Sequence, residues 1–153
     1  MARTRTSKTT TMLPTVLRIL GVREALAREL RSSSDLRGRI LEGLPYAAAE
    51  SVMLELDLDS VEMSEALNVS RRTLSRRKDE KRLHPDESDR LYRVARIAAR
   101  AEEVFGGKEK AAAWLRRANR ALGGDQPLAL VRTDLGALQV EEVLGRIEHG
   151  VAS

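Results

Sequence analysis

Ser60-Val61-Glu62-Met63-Ser64-Glu65-Ala66-Leu67-Asn68-Val69-Ser70-Arg71-Arg72-Thr73-Leu74-Ser75-Arg76-Arg77-Lys78 is the stretch that decides the fold of this 153-residue chain. Asp59 or Ser60 can cap a helix that runs to about Leu67, because a short polar side chain satisfies the free N–H groups of a first turn. Asn68 marks a tight turn, where its side chain tolerates the left-handed conformation. Ser70 then caps a second helix to about Lys81. Val61, Leu67, Val69 and Leu74 are the apolar pins that hold this second helix across the first, and Ser64 is small where the two approach. The pattern predicts a helix-turn-helix, whose second helix enters the major groove of double-stranded DNA.

With Leu74 turned inward, Arg71, Arg72, Ser75 and Arg76 face outward. Arginine in the first turns of such a helix forms paired hydrogen bonds to O6 and N7 of guanine. Ser70 and Thr73, beside the free N–H groups of the helix start, suit phosphate contacts. Arg77 and Lys78, followed by Lys81 and Arg82, are placed to track the phosphates alongside. A solvated basic face would look similar, but here pins, turn residue and outward charge all agree. One recognition helix covers only a few base pairs. A homodimer is therefore expected, with its two helices roughly 34–36 Å apart, and residues 22–44 are the first candidates for the dimer contact.

Charge is segregated along the chain. The net charge is +4 from 27 Lys+Arg against 23 Asp+Glu. Residues 46–69 carry six acids and no base, whereas residues 71–82 carry seven cations and two acids. A local basic element on a nearly balanced chain implies a defined anionic docking surface rather than a polycationic coat.

Composition sets the class. Leu (22) and Ala (19) far outnumber Ile (4) and the aromatics (4), and both are strong helix formers, so the expectation is an all-α protein. The absence of Cys removes disulfides, thiol catalysis and zinc fingers. His84 and His149 are too far apart in sequence to suggest a metal site. No cofactor and no enzymatic activity are expected, since there is no Gly-rich phosphate loop, His pair or convergent acid cluster. Apolar runs do not exceed the five residues from Ala111 to Leu115, whereas a membrane span needs about 20. The basic start is followed by a stretch broken by Pro14 and Arg18, so no secretory segment is read there and a cytoplasmic protein is expected. Arg outnumbers Lys 22 to 5, which fits either bidentate anion recognition or the codon usage of a GC-rich genome.

Working outward, residues 1–11 read as a disordered basic tail. Residues 12–44 read as an N-terminal helical extension. It holds one helix over about Val22 to Arg31 and a second with Leu36, Ile40 and Leu44 at spacing four. Residues 45–105 form the helix-turn-helix domain, opened by a helix from Pro45 to about Leu56 and closed by a longer one from Pro85 to Phe105. Residues 106–153 form a C-terminal helical domain. Its helices are expected over Lys108 to about Leu122, near Leu128 to Leu130, and over Leu135 to Glu148 with Val140, Val143, Leu144 and Ile147 on one stripe. Trp114 suits a core position as well as a contact. Asn119-Arg120 either recognises a partner or caps a turn. His149, at a chain end with no positioned nucleophile, fits a solvated residue.

The helix-turn-helix resembles the Xre type of phage repressors, and the wider chain resembles the Xre antitoxins of RES–Xre toxin–antitoxin pairs, related to the MbcA and ParS-like antitoxins. The likeness covers about residues 43–151. It is carried by Gly43-Leu44-Pro45-Tyr46, Val69 to Leu74, Leu83 to Leu91 and Ala101 to Gly106. Further on it rests on Trp114-Leu115, Asn119 to Gly124, Pro127-Leu128, Thr133, Gly136 and Arg146 to Val151. The resemblance implies two jobs: repression of the chain's own operon through operator DNA, and neutralisation of a RES-domain toxin that degrades NAD. By the same resemblance the C-terminal domain is the toxin-binding part, with Trp114, Asn119, Arg120, Arg146, Glu148, His149, Gly150 and Val151 as contact candidates. The chain departs from the family pattern at Ala118, where Pro often precedes the Asn, and at Val151-Ala152-Ser153, which offers no aromatic tip. A stand-alone, phage-type dimeric repressor with no toxin partner is the alternative.

Overall fold

The chain is all-α in a computed structural model that describes residues 12–150. The expected basic tail and Val151 lie outside the described residues. Two short helices open the chain, α1 over residues 12–19 and α2 over Glu24–Ala27. The expected single helix from Val22 to Arg31 is thus replaced by a helix already formed at residue 12 and a single later turn. Pro14 lies within α1 and does not break it. Val16, Leu17, Ile19 and Leu20 are buried. Gly21 ends the helix at a positive φ of 73°, and a Cβ there would lie 2.8 Å from the side chain of Ser51. The hydroxyl of Ser51 donates to the carbonyl of Ile19 at 2.8 Å, so this close approach ties α1 to the core.

Next comes α3, Ser33–Glu42, whose start is a capping box of Ser32 and Asp35. The helix-turn-helix unit follows as α4 (Tyr46–Leu56), α5 (Ser60–Ala66) and α6 (Arg71–Glu80). Its two ends are stitched together. Leu83 N donates to Leu44 O at 2.8 Å, Tyr46 N to Lys81 O at 3.1 Å, and the buried Ser88 hydroxyl accepts from Leu44 N at 2.8 Å.

The axis of the molecule is α7, Pro85–Phe105, 21 residues long, or about 31 Å at 1.5 Å per residue. Leu91, Val94, Ala95, Ala98 and Ala101 form its buried stripe. The small alanines let α8 (Lys108–Leu115) lie close against it after the turn at Gly106. Phe105 and Trp114 close that corner with ring centroids 5.4 Å apart. The helix expected to reach Leu122 ends at Leu115. A separate 3₁₀ turn, Arg120–Leu122, is capped by Asn119, whose side chain accepts from Ala121 N at 2.9 Å. Two more helices complete the chain, α9 (Pro127–Leu130) and α10 (Asp134–Glu148). Among the described residues no helix is long and apolar enough to cross a membrane.

Candidate functional site

The turn between α5 and α6 is built by local chemistry. Asp59 and Glu62 form a capping box at the start of α5. Asn68 takes a φ of 54°, the left-handed conformation its short side chain permits. Ser64 is buried, and its hydroxyl donates to Val61 O at 2.7 Å. The expected pins are adjusted at one place. Val61 is exposed, and the fully buried Met63 takes its role together with Leu67 and Leu74.

Ser70 caps α6, its hydroxyl oxygen accepting from Thr73 N at 3.0 Å. Because Leu74 points inward, Arg71, Arg72, Ser75, Arg76 and Lys78 are exposed, while Thr73 is half-buried. Among the described residues Arg71, Arg72, Arg76 and Lys78 form no ion pair, so these cations are available to an outside anion. No acid stands in the first turn of α6, which keeps the positive end of the helix dipole uncompensated.

Arg77 is a correction to the phosphate-tracking expectation. It is 6% exposed; its Nε donates to Glu87 Oε1 at 2.7 Å, and its Nη2 lies 3.1 Å from His84 Nδ1. The bond with Glu87 raises the guanidinium's already high pKa, against the opposing effect of burial. This charge holds α6 onto α7 and is not offered to a ligand. A groove between α4 and α6 flanks the basic face, with Arg71, Arg72 and Lys78 on one wall and Glu50 and Asp57 on the other.

The C-terminal unit presents a second surface. A row of arginines on α7 fixes α10 by its acids. Arg100 reaches Glu148 at 3.1 and 2.5 Å; Arg96 Nε lies 3.0 Å from Glu141, and Arg93 Nε 4.0 Å from Asp134. Glu148 is therefore held in this clamp, and Asn119 is held in its own capping turn. Trp114 is half-buried against Phe105. Arg120, Arg146, His149 and Gly150 are exposed, and Arg146 lines a cleft of about 410 Å³ with Gln139, Glu142 and Asp125. The two units are tied by Arg116 at the end of α8, whose guanidinium donates to Asp57 O and reaches Glu62 at 3.4 Å. Among the described residues no cluster of potential metal ligands occurs.

Comparison with known proteins matches both parts of the chain. Residues 35–96 match the family model described as the antitoxin Xre-like helix-turn-helix domain. Residues 100–150 match that of the antitoxin Xre/MbcA/ParS C-terminal toxin-binding domain. The chain is 39% identical over 150 residues to a Pseudomonas putida protein named antitoxin Xre, covering 91% of this chain and 92% of that one. It is 35% identical over 113 residues to an antitoxin Xre of Yersinia enterocolitica, covering 72% and 76% respectively. A Sphingobium protein named Prs ADP-ribosylating antitoxin is 26% identical over 129 residues, covering 78% of this chain and 81% of its own.

Proposed function

The chain belongs to the Xre antitoxin family, and from that premise we propose that it neutralises a RES-domain, NAD-degrading toxin and represses its own operon. The observation that carries the DNA half is the row of exposed cations on α6 that pair with no acid among the described residues. Arg71, Arg72 and Arg76 are free to meet base edges and Lys78 a phosphate, with Ser70, Thr73 and Ser75 alongside. Residues 45–105 act as the DNA-binding domain and residues 106–153 as the toxin-binding domain, with residues 12–44 as a helical extension whose residues 22–44 join two copies. The exposed Leu41 of α3 supports a homodimer contact in that extension. Arg120, Arg146, His149 and Gly150 are the accessible toxin-contact candidates.

Co-expression with the RES-domain toxin of its own operon tests the toxin half. Growth should be restored and cellular NAD kept at its resting level. The name of the Sphingobium relative brings in ADP-ribosylation, which also consumes NAD, so protein-bound ADP-ribose is measured beside it. Growth arrest and falling NAD despite abundant folded chain would overturn the proposal.

A further inference from the structure

The fold sorts α10 into three arcs, and one of them is not covered by any other element among the described residues. At about 100° per residue, Ala137, Val140, Val143 and Leu144 form the buried arc. Asp134, Glu141 and Glu148 form a second arc, engaged by the α7 arginines. The remaining arc runs through Leu135, Leu138, Gln139, Glu142, Arg146 and His149, all of them exposed. Its first turn is apolar: Leu135 is 69% exposed and Leu138 45%. The cleft beside the 3₁₀ turn continues this arc and is lined by Leu130, Gln139, Glu142 and Arg146.

Two large apolar side chains adjacent on one exposed helix face lose favourable burial unless something covers them. Leu135 and Leu138 are the exposed large apolar residues of the region that matches the toxin-binding family model. We infer that this free arc of α10 is the toxin-docking face, with Leu135 and Leu138 as its apolar anchor and Gln139, Glu142 and Arg146 as its polar rim. The occupant is the toxin, which must offer an apolar socket for two leucines flanked by hydrogen-bonding groups. An apolar centre with a polar rim is the usual anatomy of a specific interface. This deepens the toxin-neutralisation proposal and rests on it.

The test uses the full chain and the purified RES-domain toxin of its own operon. A Leu135→Glu/Leu138→Glu double variant should bind that toxin at least tenfold more weakly, with unchanged thermal stability and operator binding. A Leu135→Met/Leu138→Met variant should bind as the wild type does. Since the chain has no cysteine, Leu138→Cys gives it a single thiol, and toxin should slow the labelling of that thiol at least tenfold. The same thiol placed by Leu54→Cys on α4, at a position 85% exposed, should label at an unchanged rate. Full binding by the glutamate variant, or equal labelling at residue 138 with and without toxin, overturns the docking face. A wild-type chain that fails to bind the toxin overturns the toxin-neutralisation proposal itself, and the docking face with it.

Discussion

Arg77 of the recognition helix and Glu87 of α7 form a buried ion pair at 2.7 Å. It separates two jobs that a run of seven cations in twelve residues conceals. Arg77 is the buried structural member of the run and Arg82 donates to Glu42 O at 3.1 Å, while Arg71, Arg72 and Arg76 remain outside. Glu87 also accepts from His84 N at 2.8 Å, so its carboxylate caps α7 while it pairs with α6.

Arg77→Ala leaves a buried carboxylate uncompensated, which costs about 3–5 kcal/mol in comparable pairs. The expected result in urea unfolding is a loss of that order. Operator binding by Arg77→Ala should fall only as far as the folded fraction does, whereas Arg72→Ala keeps the wild-type unfolding midpoint.

The α10 clamp calls for a double-mutant cycle. The half-buried Arg100 meets Glu148 at the surface through paired hydrogen bonds. Arg100→Ala, Glu148→Ala and the double variant should yield a coupling energy on the order of 1–2 kcal/mol in thermal or denaturant unfolding. A coupling near zero would remove the clamp from the account of how α10 is held.

Gly136 packs where no side chain fits. A Cβ there would fall 1.9 Å from Leu130 O, so Gly136→Ala must push the start of α10 away from the end of α9. A loss of about 1–3 kcal/mol or more is expected, together with weaker toxin binding. Circular dichroism melts and a toxin pull-down read both effects.

Removing residues 149–153 spares Glu148 and with it the clamp. This truncation should retain wild-type stability and operator affinity while weakening toxin neutralisation, because His149 and the end of the docking arc are lost. A growth-rescue assay decides: full rescue by the truncated chain would exclude those residues from the toxin contact.

The helix-turn-helix was legible because its signals are local. Asp59, Asn68 and Ser70 act within three residues of themselves, so cap and turn chemistry alone delimits α5 and α6. The inward turn of Arg77 is also implicit in the spacing, since it stands three residues after Leu74 and shares its face, although its charge resembles that of its exposed neighbours. Other features depend on distant neighbours. Whether Val61 or Met63 turns inward is decided by how α5 sits on α7, and α1 is anchored by Ser51, 32 residues beyond Ile19. The free arc of α10 was half visible. Arg146 and His149 stand out at one end, but nothing in the sequence marks Leu135 and Leu138 as exposed until the neighbours that cover the other faces of the helix are known.

The most direct measurement is fluorescence anisotropy of the chain on the operator of its own operon, at fixed salt, with Arg72→Ala beside the wild type. The expected loss is about 1–3 kcal/mol, roughly 5–150-fold in affinity, with relaxed base preference and unchanged stability. Unaltered affinity and sequence preference in the folded variant would contradict the claim that the free arginines of α6 read the major groove.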